Sequence, residues 1–302
     1  MRNPKVTVII PTYNSRGGLK RALDSVLNQT YNNLEVIVID DNNPNTIERQ
    51  KTEEVMLEYN KSDIIYLKHE INKNGASARN TGIYAATGDY IAFLDDDDEW
   101  FSNKLEKQLV YLENNPEYDC VYCLSLIRGK KEFTIAYEDN AIIPLLMNRT
   151  KMFTPSLMFT RQSLLDIEGF NESFRRHQDY ELLIKFFAKG YKICCLKEVL
   201  INIHGLGGNT PNSQEFILIK DQFLKSFDKE INKLELKHKG IKSKITVANY
   251  VVVLFSALSN SQFNLALKML KKYFPLSPIT FIKQFLFLTW GYFFRRLPYY
   301  IK

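Results

Sequence analysis

Apolar runs of five to seven residues recur along the first part of the chain: "VTVII" (6–10), "LEVIVID" (34–40), "DIIYL" (63–67), "DYIAFL" (89–94) and "DCVYCLS" (119–125). Their length and their β-branched and aromatic content read as strands. They are nearly continuous rather than alternating, the pattern of strands covered on both faces. Between the first two, Leu19, Ala22, Leu23, Val26 and Leu27 fall at i, i+3, i+4, i+7 and i+8, one apolar stripe on a helix. A further helix is expected over Ala76 to Ala86. The alternation predicts a doubly wound, mostly parallel, Rossmann-like α/β sheet, and such sheets bind ligands beyond the carboxyl ends of their strands. The segments that follow strands one, two and four are "PTYN" (11–14), "DDNNPN" (40–45) and "DDDDEW" (95–100), so all three are expected along one sheet edge.

After about residue 213 the pattern changes to long Lys-rich and apolar segments without a clear strand, which predicts a helical appendage. The expected domains are therefore 1–213 and 214–302. Charge divides the same way: from Glu215 onward there are 15 Lys/Arg against 5 Asp/Glu, and before it 25 against 29. The last stretch, "FIKQFLFLTWGYFFRRLPYYIK" (281–302), clusters aromatic residues with Leu and Ile. Its longest uncharged part, Gln284 to Phe294, is about half of the ~20 residues that a membrane-spanning helix needs. A cation-rich amphipathic segment lying on an anionic membrane fits this pattern. A nucleic-acid surface would space its basic residues with exposed stacking aromatics, so nucleic acid is not expected. A homo-oligomer interface is the alternative use of the tail.

With 302 residues, 45% of them hydrophobic, the chain can build a sizeable core. "VTVII" is too short for a signal-peptide core and runs into Pro11, so a cytoplasmic protein at the inner face of the membrane is expected. Cys120 and Cys123 are three apart on a strand, which sends them to opposite sheet faces; buried thiols are expected rather than a metal pair.

The acidic run raises the question of chemistry. Carboxylates this close repel one another and raise each other's pKa unless a cation neutralises them. A four-Asp run is most often a solvated loop, but this one ends a buried strand and leads into Trp100, which prefers burial. Mg²⁺ or Mn²⁺ on one or two carboxylates keeps positions open for a substrate phosphate, so a phosphorylated ligand is expected.

These motifs, in their order, resemble the family 2 glycosyltransferases of the bacterial surface-polysaccharide type, which have the A-type glycosyltransferase fold. The resemblance covers residues 5 to about 210: "VTVIIPTYN", "SVLNQTYNNLEVIVIDDNNPNT" (25–46), "NGASARNTGIYAATGDYIAFLDDDD" (74–98), "QDYELLIKFFAKG" (178–190) and "INIHGLGG" (201–208). It implies an inverting, metal-dependent transfer from a UDP-sugar to a glycan or lipid-linked saccharide. Pro11 and Tyr13 match the pair that lines the nucleobase site. Asp41 matches the acceptor of the uracil N3–H, while Asp40 supports the strand end. Arg79 matches the basic residue near the diphosphate. Asp95, Asp96 and Asp97 overlay the family's D-x-D, with Asp97 on the metal, Asp95 and Asp96 near the ribose and the metal's surroundings, and Asp98 facing sugar or acceptor. Asp179 matches the base that deprotonates the acceptor hydroxyl, at the start of a helix whose Leu182, Leu183, Phe186 and Phe187 face inward. His204 matches a late His that reaches the metal or diphosphate in some members. His177 has no counterpart and is expected at the surface, and "GLGGN" (205–209) as a closing loop.

Two other classes compete. A sugar-nucleotide pyrophosphorylase would carry a Gly-rich basic loop after the first strand, which "PTYNSRGG" lacks. A catalytically inactive membrane scaffold would not need Asp97 and Asp179 together.

Overall fold

In the computed structural model the described residues are 3–15, 17–59, 64–127, 129–131, 136–150, 152–174, 176–204 and 212–296. In chain order the elements are β1 (Val6–Thr12), α1 (Leu19–Leu27), β2 (Leu34–Asp40), α2 (Ile47–Glu58), β3 (Ile64–Lys68), α3 (Gly75–Ala85), β4 (Tyr90–Phe93), β5 (Glu99–Trp100), α4 (Lys104–Asn114), β6 (Cys120–Ile127), β7 (Lys130–Lys131), α5 (Ile142–Leu146), β8 (Leu157–Thr160), α6 (Arg161–Asp166), α7 (Gln178–Ala188), β9 (Ile193–Ile203), α8 (Ser213–Ser226), α9 (Asp228–Lys237), α10 (Ile241–Ser259), α11 (Phe263–Tyr273) and α12 (Pro278–Arg296). They form two compact units. The described residues up to 131, with 136–141 and 152–204, make the sheet unit; 142–150 and 212–296 make the helical unit.

The sheet order is β3-β2-β1-β4-β8-β6-β9-β5, with β7 beside β6. β3, β2, β1 and β4 are parallel, and the chain reverses its direction of winding between β1 and β4. Beyond β4 the sheet is mixed: β8 is antiparallel to both neighbours, β6 and β9 are parallel, and β5 is antiparallel to β9. Val6, Val8 and Ile10 of β1 pack with the apolar stripe of α1 on one face of the sheet. On the other face α3 lies so close that a Cβ at Gly82 would come 2.5 Å from Ile9 Cγ2.

β1 continues through Pro11 to Thr12, past the end expected from the sequence. Thr12 faces β2, where its carbonyl accepts from Asp41 N at 2.9 Å, so Pro11 faces the β4 side. There the β1–β4 register ends at Ile9↔Phe93, and a residue without an N–H loses no ladder bond. All four cysteines are buried free thiols.

In the helical unit α10 is the core helix, with Val247, Val251 and Leu254 among its buried residues. By length and composition it could cross a membrane, but 56% of its apolar window is buried inside the unit, as for a core helix. Segment 142–150, which a boundary at 213 assigns to the other domain, is fastened here by a polar network. Asn148 donates to Asn249 at 2.7 Å and accepts from Lys220 at 2.8 Å, and Gln284 donates to the Met147 carbonyl at 3.2 Å.

Candidate active site

Parallel strands that diverge at a winding reversal leave a crevice at their carboxyl ends. Here Thr12 of β1 donates to Asp96 Oδ2 at 2.6 Å across that reversal, tying the first strand end to the acidic run. The run is held by its backbone too. Arg21 of α1 donates to the Asp97 carbonyl. Gly18, at the start of α1, packs so tightly that a Cβ would lie 2.5 Å from the Asp96 carbonyl oxygen and 2.8 Å from Asp97 Cα.

The carboxylates are in unequal environments. Burial pushes Asp96 up to about 7, with Asp97 and Asp95 adding to the rise against the Thr12 hydrogen bond. Desolvation, then repulsion from Asp95, raises Asp97 as well. Asp98 is raised by burial first and by Asp95 and Asp97 next. Asp95 has a salt bridge, to Arg79 Nη2 at 2.5 Å. This all-oxygen cluster, short of positive charge, fits a hard divalent cation. Among the described residues no three His, Cys, Asp or Glu side chains already converge as a ligand set.

Asp98 departs from expectation. It is 3% exposed, and its Oδ1 accepts from the His204 backbone N–H at 3.1 Å, so it anchors the end of β9 rather than facing a substrate. The pairing Glu99↔Asn202 brings β9, and His204 with it, alongside the run. The imidazole is engaged by Glu99 Oε2 at 3.0 Å and Asn202 Nδ2 at 3.1 Å. It stands next to the cluster but is paired with Glu99. The "GLGGN" segment lies outside the described residues.

At the end of β2, Asp40 is fully buried and supports the strand end through Arg49 Nε at 3.1 Å and Tyr66 OH at 2.6 Å. Asp41 was expected to present a free acceptor to a base, and here both oxygens are filled. Oδ1 meets His69 Nδ1 at 2.7 Å and Lys73 N at 2.8 Å; Oδ2 accepts from Asn72 Nδ2 at 2.8 Å and Asn74 N at 2.9 Å. A base N–H would have to displace one of these four. The first role of Asp41 in this structure is therefore to hold residues 72–74. Asn74 in turn caps α3, its side chain accepting from Ala76 N and Ser77 N. Tyr13, by contrast, is 55% exposed beside half-buried Pro11, leaving a ring face open for stacking.

α3 carries Arg79, whose other terminal nitrogen donates to Gln178 Oε1 at 3.1 Å while its guanidinium lies 5.6 Å from the Phe170 ring. Gln178 is the first residue of α7 and Asp179 the second; Leu182, Leu183, Phe186 and Phe187 anchor that helix in the core. Asp179 is not the helix cap, a position held by His177 in a left-handed conformation, φ 57°. Burial pushes Asp179 up to about 6, opposed by the Tyr180 N–H and by Arg79. His177 is half-buried rather than at the surface, its ring edge-on to Tyr180 at 5.3 Å. Its strained backbone, two residues before Asp179, carries no periodicity signal that the sequence could reveal.

The chain is similar to several known proteins. The amylovoran biosynthesis glycosyltransferase AmsB of Erwinia amylovora is 31% identical over 217 residues, 68% of this chain and 71% of that one. The UDP-Glc:alpha-D-GlcNAc-diphosphoundecaprenol beta-1,3-glucosyltransferase WfgD of Escherichia coli is 42% identical over 111 residues, 36% of this chain and 42% of that one. Among solved structures, S. aureus TarS 1-349 in complex with UDP-GlcNAc has a TM-score of 0.60 at 18% identity, over 98% of this chain and 93% of that one. The mannosyltransferase PcManGT of Pyrobaculum calidifontis with GDP-Man and Mn²⁺ has a TM-score of 0.59 at 17% identity, over 97% and 88%. These two likenesses establish the fold. With the family model for glycosyl transferase family 2 matched over residues 7–195, the chain belongs to that family and is a glycosyltransferase.

Proposed function

We propose an inverting, divalent-metal-dependent transfer of a sugar from a UDP-sugar to a hydroxyl of a lipid-linked or other glycan acceptor, in surface polysaccharide assembly at the cytoplasmic face of the membrane. The observation that carries this reading is Arg79, one guanidinium that reaches both Asp95 of the acidic run and Gln178, the neighbour of Asp179. The end of the site suited to a leaving diphosphate and the carboxylate suited to deprotonating an acceptor are thereby held together, as a displacement at one carbon requires. Asp179, raised to about 6, is ionised at neutral pH yet more basic than an ordinary carboxylate.

Asp97 would hold Mn²⁺ or Mg²⁺, with Asp95 and Asp96 near the ribose and the metal's surroundings and His204 as a further ligand once it releases Glu99. The bound ion would offset charge on the departing diphosphate. Tyr13 offers its ring to the base, Pro11 lines the same edge, and Asp41 keeps the 72–74 loop in place below it. The names of AmsB and WfgD support polysaccharide synthesis and a lipid-linked acceptor, and the TarS complex supports a UDP-sugar. PcManGT holds GDP-Man on the same fold, so the fold does not choose the base, and the UDP reading is supported by the names of WfgD and of the TarS complex. The basic helical unit supplies a means of staying at a membrane.

The test is a panel of UDP-, GDP- and dTDP-sugars assayed for donor hydrolysis and transfer with Mn²⁺, Mg²⁺ or chelator. Activity with a UDP-sugar that disappears in chelator is expected. Undiminished activity in chelator would remove the metal from the reading, and no turnover with any donor would favour an inactive scaffold.

A further inference from the structure

After Glu235 the chain has eleven Lys/Arg and no Asp or Glu through to its end. Over part of that stretch the helical unit leaves apolar side chains uncovered. On α11, Ala266, Met269 and Tyr273 are buried, while Phe263, Leu267 and Leu270, at i, i+4 and i+7, are exposed. On α12, Phe281 and Gln284 are buried, while Ile279, Ile282 and Leu286, at i, i+3 and i+7, are exposed. Each helix therefore carries a second apolar stripe besides the one that faces its own core, and Phe274 and Leu276 between the helices are exposed as well. Lys268, Lys271, Lys272 and Lys283 are exposed among these residues. Leu267 and the three α11 lysines line a shallow depression of about 510 Å³ with Asn264.

We propose that the exposed stripes of α11 and α12, with these lysines, dock the helical unit on an anionic phospholipid bilayer. This deepens the reading of a lipid-linked acceptor and rests on it for its purpose. Apolar residues on one side of a helix bury into the boundary between headgroups and acyl chains, and lysines at that depth meet lipid phosphates. Charge decides between this occupant and a second copy of the chain. A two-fold interface sets a patch against itself, so lysines would face lysines with no carboxylate from this stretch to pair with them. An anionic leaflet has the complementary charge everywhere.

Flotation of the full chain with vesicles tests the surface. The lipids are phosphatidylcholine alone or phosphatidylcholine with phosphatidylglycerol, at low and high salt. One variant carries Lys268→Gln, Lys271→Gln and Lys272→Gln; the other carries Leu267→Ser, Leu270→Ser, Ile282→Ser and Leu286→Ser. All of these positions are exposed, and a circular-dichroism melt checks that each variant is folded. Wild type should float with the anionic vesicles and release as salt screens the attraction. Each lysine near an anionic surface changes partitioning about fivefold, so the triple variant should partition on the order of 100-fold more weakly. The serine variant should fail to float even at low salt. Equal binding of wild type to both lipids, or variants that float like wild type, would overturn the proposal. So would serine substitutions that only convert a dimer to a monomer in light scattering and leave flotation intact. Donor hydrolysis measured on the same samples should not differ among the three proteins. Its absence from all three with flotation preserved would count against the catalytic reading and leave this surface standing.

Discussion

Replacing Asp96 by Asn should stabilise the metal-free protein, and only above a definable pH. The substitution removes one charge from the acidic run and keeps an oxygen to accept from Thr12. Burial and the flanking carboxylates move Asp96 from 3.8 to about 7, roughly three pK units at ~1.4 kcal/mol each. That sets a ceiling of about 4 kcal/mol, which solvent reaching the loop reduces to about 2 kcal/mol. The sign follows from proton linkage. A folded-state pKa above the unfolded one means that the folded state holds the proton more tightly, so the penalty is absent below the unfolded value, grows with rising pH, and is complete above about 7. In chelator, variant and wild type should melt together near pH 4 and separate by about 4–8 °C near pH 8, given a sheet unit of this size. Mn²⁺ should then raise the melting temperature of wild type more than that of the variant, because binding to the native state adds stability where charge is being neutralised. Thermal unfolding followed by circular dichroism at several pH values reads all of this. Equal melting at pH 8, or a gap that does not change with pH, would refute the idea that repulsion is stored in the run.

Three further outcomes are expected. Asp179→Asn should lower transfer by ~10²–10⁴-fold while calorimetric affinity for the nucleotide holds, and wild-type transfer should fall as pH drops below about 6, where the base takes up its proton; a flat profile from about pH 5 to 8 would exclude it. Gly18→Ala forces a methyl against the Asp96 and Asp97 backbone, so stability should drop by about 1–3 kcal/mol and metal-dependent nucleotide binding should weaken, both measurable by titration and melting. Arg79→Lys keeps the charge but cannot span Asp95 and Gln178, so kcat should fall further than KM rises; wild-type kinetics would show the bridge to be dispensable.

The parallel half of the sheet was legible because each of its strands is an apolar run bounded by polar residues, and because its winding follows from the alternation with helices. β5, β8 and β9 were not. β5 is two residues long, β8 has four, and β9 is interrupted by exposed Lys197 and Glu198 next to irregular pairing with β6. Their places come from tertiary pairing, which overrides local pattern. The same limit applies within the site. Residue types and order pointed to Asp95, Asp97, Arg79 and Asp179, but not to the engagement of Asp41 or the burial of Asp98. The donors to Asp41 come from Asn72, Lys73, Asn74 and His69 in a loop without periodicity, and Asp98 is fixed by a backbone N–H more than 100 residues away. Hydrogen bonds to main-chain groups leave no compositional trace.

That backbone anchoring explains how a chain keeps four adjacent carboxylates in one place without a permanent counter-charge on each. Left to itself, a loop of like charges would spread into solvent. Here α1 holds its backbone through Gly18 and Arg21, while Thr12 of β1, the His204 N–H after β9 and Arg79 of α3 each take one carboxylate. Strand pairing on either side, β4 with β1 and β5 with β9, fixes where the loop begins and ends. The position of the run is therefore set by the fold, while its side chains do not yet converge as a ligand set, and the unfavourable charge lies on groups that a divalent cation can discharge. Under the proposed function, a metal-bound diphosphate would relieve the repulsion among these carboxylates, and that free energy would add to its binding. If the proposed function holds, affinity for the metal-nucleotide would depend on residues such as Gly18, which packs against the backbone of the run rather than offering it a ligand.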